Sequence, residues 1–81
     1  MRQHELVILR RLRHGPLTEF ELVQQVAEHS GYSGEQAAER IGAWLETLKS
    51  QGYIWTGKLY NEAGQFIHAA ALTRTGRDLV G

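Results

Sequence analysis

Eighty-one residues with nine basic and nine acidic side chains, 42% apolar residues and no cysteine are enough for one small domain, expected over 1–81. The missing thiols exclude a disulfide framework and a thiolate metal site. No apolar run approaches the roughly 20 residues of a membrane helix, and no signal-peptide core is seen, so a cytoplasmic protein without a membrane partner is expected. The zero net charge is unevenly spread. Four arginines face one glutamate up to Gly15 (+3), six glutamates face Arg40 from Pro16 to Leu48 (−5), and four cations face Glu62 and Asp78 from Lys49 onward (+2).

The first helix is predicted from Arg2 to Arg13. Leu6, Leu9 and Leu12 share a stripe with Ile8, while Arg2, Arg10 and Arg13 lie mainly away from it as a solvated face. Gly15-Pro16 ends the helix, because the proline ring disfavours a helical residue before it. Leu17 falls in a short extended segment. Thr18 and Glu21 then form a capping box that opens a second helix, with Leu17 and Leu22 at the positions of a hydrophobic staple. Leu22, Val23 and Val26 should be buried, and Gly31 supplies the left-handed residue that ends the helix.

Ser33 and Gln36 form a second capping box, which starts a third helix over about 34–51. Ala38, Ile41, Leu45 and Leu48 recur at helical spacing as its inner face, with Trp44 beside them. A glycine inside a helix costs roughly 1 kcal/mol relative to alanine, so Gly42 implies close approach of another helix. Gly52 stops the helix and Tyr53 folds over Leu48.

Tyr53 to Leu59 and Gln65 to Leu72 read as strands joined by turn residues Asn61-Glu62-Ala63-Gly64. Ile54, Ala70 and Leu72 should point inward. Trp55 alternates with Ile54 and should lie on the outer face, where Tyr53, Trp55 and Leu59 suggest a surface for a protein partner or a second copy. Thr73 caps a last helical turn that ends near Val80.

The chemistry-bearing residues are sparse. The histidines His4, His14, His29 and His68 show no i, i+4 pair, so no metal site is expected. Serines at cap or helix-end positions and the lack of a glycine-rich phosphate loop imply no enzyme and no cofactor.

The segments Ile8-Leu9-x-x-Leu12-x-x-Gly15-Pro16-Leu17-Thr18, Glu21-Leu22, Leu45-x-x-Leu48-x-x-x-Gly52-Tyr53-Ile54 and Leu72-Thr73-x-x-Gly76 follow in order. In this order the chain resembles winged helix-turn-helix transcription regulators of the PadR and MarR type. The resemblance implies an α+β fold: a three-helix core, a short strand after the first helix, a hairpin wing over 53–72 and a short terminal helix. It also implies double-stranded DNA as partner, read by the third helix in the major groove and touched by the wing. Carried over by position, the DNA-facing residues are Gln36, Arg40, Ala43 and Thr47 on the helix, with Lys58 and His68 in the wing and Arg74 and Arg77 after it. Gln36 suits adenine and Arg40 suits guanine, so Arg40→Ala is expected to abolish selective duplex binding.

The sequence departs from the family at several positions. Glu35 and Glu39 stand near the front of the reading helix, the wing tip is uncharged but for Glu62, and Gly42 occupies a position where PadR-type proteins usually carry tyrosine. The long dimerising C-terminal helix of such regulators is not among these residues, so an isolated monomer should bind weakly. The alternative is a winged-helix module that binds protein through an acidic third helix or the aromatic hairpin. A positive stripe through Arg40, Lys58, Arg74 and Arg77 would favour DNA. A negative third-helix face with an apolar strand surface would favour protein.

Overall fold

The computed structural model describes residues 3–81 as α1 (Gln3–Leu12), β1 (Leu17–Thr18), α2 (Glu19–Ser30), α3 (Gly34–Ser50), β2 (Ile54–Tyr60), β3 (Phe66–Leu72) and α4 (Arg74–Val80). This is the predicted element order. Arg2, where the first helix was expected to begin, lies outside the described residues. α1 ends at Leu12, one residue before the predicted Arg13, and closes through bonds from His14 N to Arg11 O (3.2 Å) and from Gly15 N to Leu12 O (3.0 Å).

Both capping boxes form. Glu21 N donates to Thr18 Oγ1 and Thr18 N donates to Glu21 Oε1, each at 3.2 Å. Gln36 N donates to Ser33 Oγ and Ser33 N to Gln36 Oε1, each at 3.1 Å. Each reciprocal pair satisfies amides that the helix ladder leaves open. At the far end of α3, Gly52 takes φ +80°, which lets Gly52 N reach Lys49 O and Tyr53 N reach Leu48 O, both at 3.0 Å.

The three long helices close on Ile8, Leu9, Leu12, Leu22, Val26, Ala37, Ile41, Trp44, Leu45 and Leu48, and the sheet adds Ile54, Ala70 and Leu72. Full burial of each large aliphatic side chain contributes about 1.5–3 kcal/mol, set against the entropy of ordering the chain. Two expectations fail in α3. The buried alanine is Ala37 and not Ala38, because α1 and α2 meet the helix one residue round from the predicted stripe. Gly42 is exposed, and a Cβ built on it meets nothing within 4 Å, so no helix approaches there. Leu6 and Val23 are half-buried at the edges of their stripes.

The strands form one antiparallel sheet in the order β1-β3-β2. Leu17 lies opposite Ala70, and the hairpin runs in register from Ile54↔Leu72 to Tyr60↔Phe66. Tyr60 therefore belongs to the first strand, and Gln65, predicted to begin the second, completes the turn. Its amide donates to Asn61 Oδ1 (2.9 Å), and Asn61 N donates to Gln65 O (3.0 Å).

The Leu72-Thr73-x-x-Gly76 step is a clasp between the hairpin and α4. Thr73 N donates to Tyr53 O (3.1 Å), Thr73 Oγ1 donates to Gly52 O (2.6 Å), and the same hydroxyl accepts from Gly76 N (3.0 Å). A Cβ at position 76 would collide with the Tyr53 carbonyl, so only glycine lets the two backbones meet.

Candidate nucleic-acid interface

α3 turns about 100° per residue, so the ridge opposite its buried face carries Glu35, Glu39 and Glu46. All three are exposed. Every charge on the ridge is acidic. Two flanks remain, and they face different parts of the molecule.

One flank holds the residues expected to read bases. The Gln36 carboxamide is engaged in its capping box, and Thr47 Oγ1 donates to Ala43 O at 3.0 Å. The Arg40 guanidinium lies 5.2 Å from the centroid of the Tyr32 ring. Tyr32 in turn leans on Trp44 (5.7 Å between centroids), on which the His4 ring stacks at 4.0 Å. Arg40, Ala43, Trp44 and Thr47 share a hollow with Glu5 of α1, a carboxylate only 7% exposed. This flank is directed at the start of α1, and Arg40 belongs to an aromatic cluster there. Burial of Glu5 was not foreseen, since its position in the first turn reads as a solvated charge.

The other flank holds Ala38 and Lys49. Ala38 and Gly34 line a hollow against Phe20, Val23 and Ala27 of α2, with Glu19 and Glu28 at its rim. Lys49, at the end of α3, lines a second hollow of ≈ 550 Å³ with Gly52, Thr56, Thr73 and Arg74. Lys49 was not among the expected DNA-facing residues, yet it is the α3 cation that shares a hollow with Arg74. Arg40 is nine positions earlier, about 13 Å along the axis, and lies on the other flank.

The hairpin has two unlike faces. Lys58 and His68 are register partners on one face, and Lys58 Nζ sits 5.2 Å from the centroid of the Phe66 ring, which packs against Tyr60 at 4.5 Å. The opposite face presents Trp55, 68% exposed, and Leu59, 56% exposed, above Ala69, Ala71 and Pro16. Tyr53 stands apart from them, half-buried against the core. Arg77 is exposed one turn after Arg74, and Arg13 Nη1 donates to Val80 O (3.2 Å), tying α1 to α4.

No protein-family model matches the sequence, and no curated protein matches it either. Solved structures do. A protein of Thermoplasma acidophilum assigned as a transcriptional regulator superposes with a TM-score of 0.77 at 26% identity, over 95% of this chain and 72% of its own. Bacillus subtilis PadR, solved in complex with operator DNA, superposes with a TM-score of 0.79 at 23% identity, over 99% of this chain and 45% of its own. The fold is that of a PadR-like winged helix. In it α2 and α3 form the helix-turn-helix and β2–β3 form the wing, and the chain spans less than half the length of PadR itself.

Proposed function

We propose that this domain is the DNA-binding part of a cytoplasmic transcription regulator and that double-stranded DNA is its partner. The observation that carries this reading is the superposition of almost the whole chain on PadR, whose structure holds operator DNA. The Thermoplasma protein, assigned to transcription regulation, supports it independently.

The charge map supports one way for such a domain to meet a duplex. Phosphate contacts come from the cations around the wing root and wing: Lys49, Lys58, Arg74 and Arg77, with His68 beside Lys58. Arg40 is not one of them, because its guanidinium lies over the Tyr32 ring on the flank that faces α1. The acidic ridge limits base reading by α3 to acceptors, and the carboxylates of Glu39 and Glu46 suit the amino group of cytosine.

The test is a fluorescence-anisotropy titration with random-sequence duplex at low ionic strength. Four phosphate contacts correspond to a slope of log affinity against log salt of about −3 to −4. Arg74→Ala should weaken binding on every sequence and flatten the slope by about 1. Arg40→Ala should leave both affinity and slope unchanged. A duplex affinity that is absent at low salt, or insensitive to salt, rejects the reading and returns the domain to the protein-binding class.

A further inference from the structure

Of the large apolar side chains exposed among the described residues, Phe20, Trp55, Leu59, Tyr60, Phe66 and Leu79, four belong to the wing. The wing also owns an open backbone edge. Among the described residues β2 pairs only with β3, and the bonds from Thr73 N to Tyr53 O and from Asn61 N to Gln65 O bracket that ladder. Bonded and non-bonded pairs alternate in an antiparallel ladder, so Tyr53, Trp55, Gly57, Leu59 and Asn61 bond inward. Ile54, Thr56, Lys58 and Tyr60 therefore direct their N–H and C=O groups outward, away from β3. An edge this long, carrying aromatics and only one charge, is a template for another strand.

We propose that two copies of this chain pair β2 against β2 in antiparallel fashion about a twofold axis at Gly57, and that Glu62 at each wing tip enters the Lys49–Arg74 hollow of the other copy. The register follows from the residues. With Gly57 on the axis, Thr56 bonds to the partner's Lys58 and Ile54 to the partner's Tyr60, so every outward group of the strand is used. Trp55 then lies across from the partner's Leu59, an aromatic–aliphatic pair that stabilises a sheet. Moving the axis to Lys58 sets two ammonium groups opposite each other, and moving it to Thr56 leaves Tyr60 opposite glycine. The non-bonded pair on the axis brings Cα atoms to about 4.5 Å, and Gly57 has open space where a Cβ would stand.

Charge complementarity points to the same register. Glu62 comes level with Gly52 of the other copy, and Gly52 lines the hollow that holds Lys49 and Arg74. A wing tip whose only charge is an acid, and a cationic hollow at the root of the same strand's open edge, are matched across a twofold axis. That hollow is also proposed to meet phosphates, so paired wings and bound duplex exclude each other. The self-pairing is nevertheless measured on the protein alone, where its failure leaves the DNA reading intact.

Sedimentation equilibrium over a concentration series is the test. The unmodified chain should rise toward twice its monomer mass. Thr56→Pro removes an outward N–H and no bond to β3, so it should stay monomeric with an unchanged far-UV circular dichroism spectrum. Glu62→Lys lies in an exposed turn and carries no folding risk. It changes both symmetric contacts and should weaken association about tenfold, with Lys49→Glu added in the same chain restoring most of the loss. A chain that remains monomeric throughout, or a dimer that Glu62→Lys leaves at full strength, overturns the proposal.

Discussion

The helical body and the wing are built from similarly apolar residues that end in opposite places. In the body, Ile8, Leu22 and Leu48 lose all contact with water. In β2, only Ile54 at the root is buried, and every residue from Trp55 to Tyr60 is exposed. The root is held by the core and by the Thr73 clasp, whereas the tip is held by its own ladder, the Asn61 turn and the Tyr60–Phe66 pair. Hydrophobicity in the body therefore reports the fold. In the wing it exceeds what folding uses.

That contrast is broken most directly from the body side. Leu48 is fully buried between the helices and the sheet, so Leu48→Ala should cost about 2–5 kcal/mol in urea denaturation. A domain of this size has little more than that to lose. Retention of near-full stability would show that the body is loosely packed and that the contrast with the wing is one of degree.

Two of the helical glycines, Gly76 and Gly42, sharpen the same point with opposite signs. Gly76→Ala drives a methyl group into the Tyr53 carbonyl at the join between body and wing, and should destabilise by about 1–3 kcal/mol. Gly42→Ala meets open space on the solvent side of α3 and should stabilise by about 0.5–1 kcal/mol through helix propensity alone. Thermal melts of the two variants should move in opposite directions. A shared sign would reject the distinction between a required and a tolerated glycine.

These positions also show what a sequence can and cannot carry. The capping boxes at Thr18 and Ser33 and the glycine stop at Gly52 were legible because every partner lies within a few residues along the chain. Ala37 and Ala38 were not separable, since both fit helical spacing to Ile41 and only the docking of α1 and α2 chooses between them. Gly42 and Gly76 look alike in sequence, and only a neighbouring backbone distinguishes a tolerated glycine from a required one. The same reason hid how the two α3 cations are placed. Arg40 and Lys49 both lie off the buried stripe of α3, but tertiary packing turns the first toward α1 and Tyr32 and the second toward Arg74. Burial of Glu5 beneath that flank has no sequence signal at all.

The smallest expected effect is the most discriminating for the wing. Trp55 is 68% exposed, so at dilutions where the chain is monomeric Trp55→Ala should change unfolding free energy by no more than about 0.5 kcal/mol. Its fluorescence should change far more. The chain has two tryptophans, and removing the exposed one leaves only Trp44, 5% exposed and stacked on His4, so emission should shift to shorter wavelength. A stability loss on the scale of Leu48→Ala would place Trp55 in the core and erase the distinction between body and wing. A small loss together with weakened self-association would show that the side chain was kept for a partner and not for the fold.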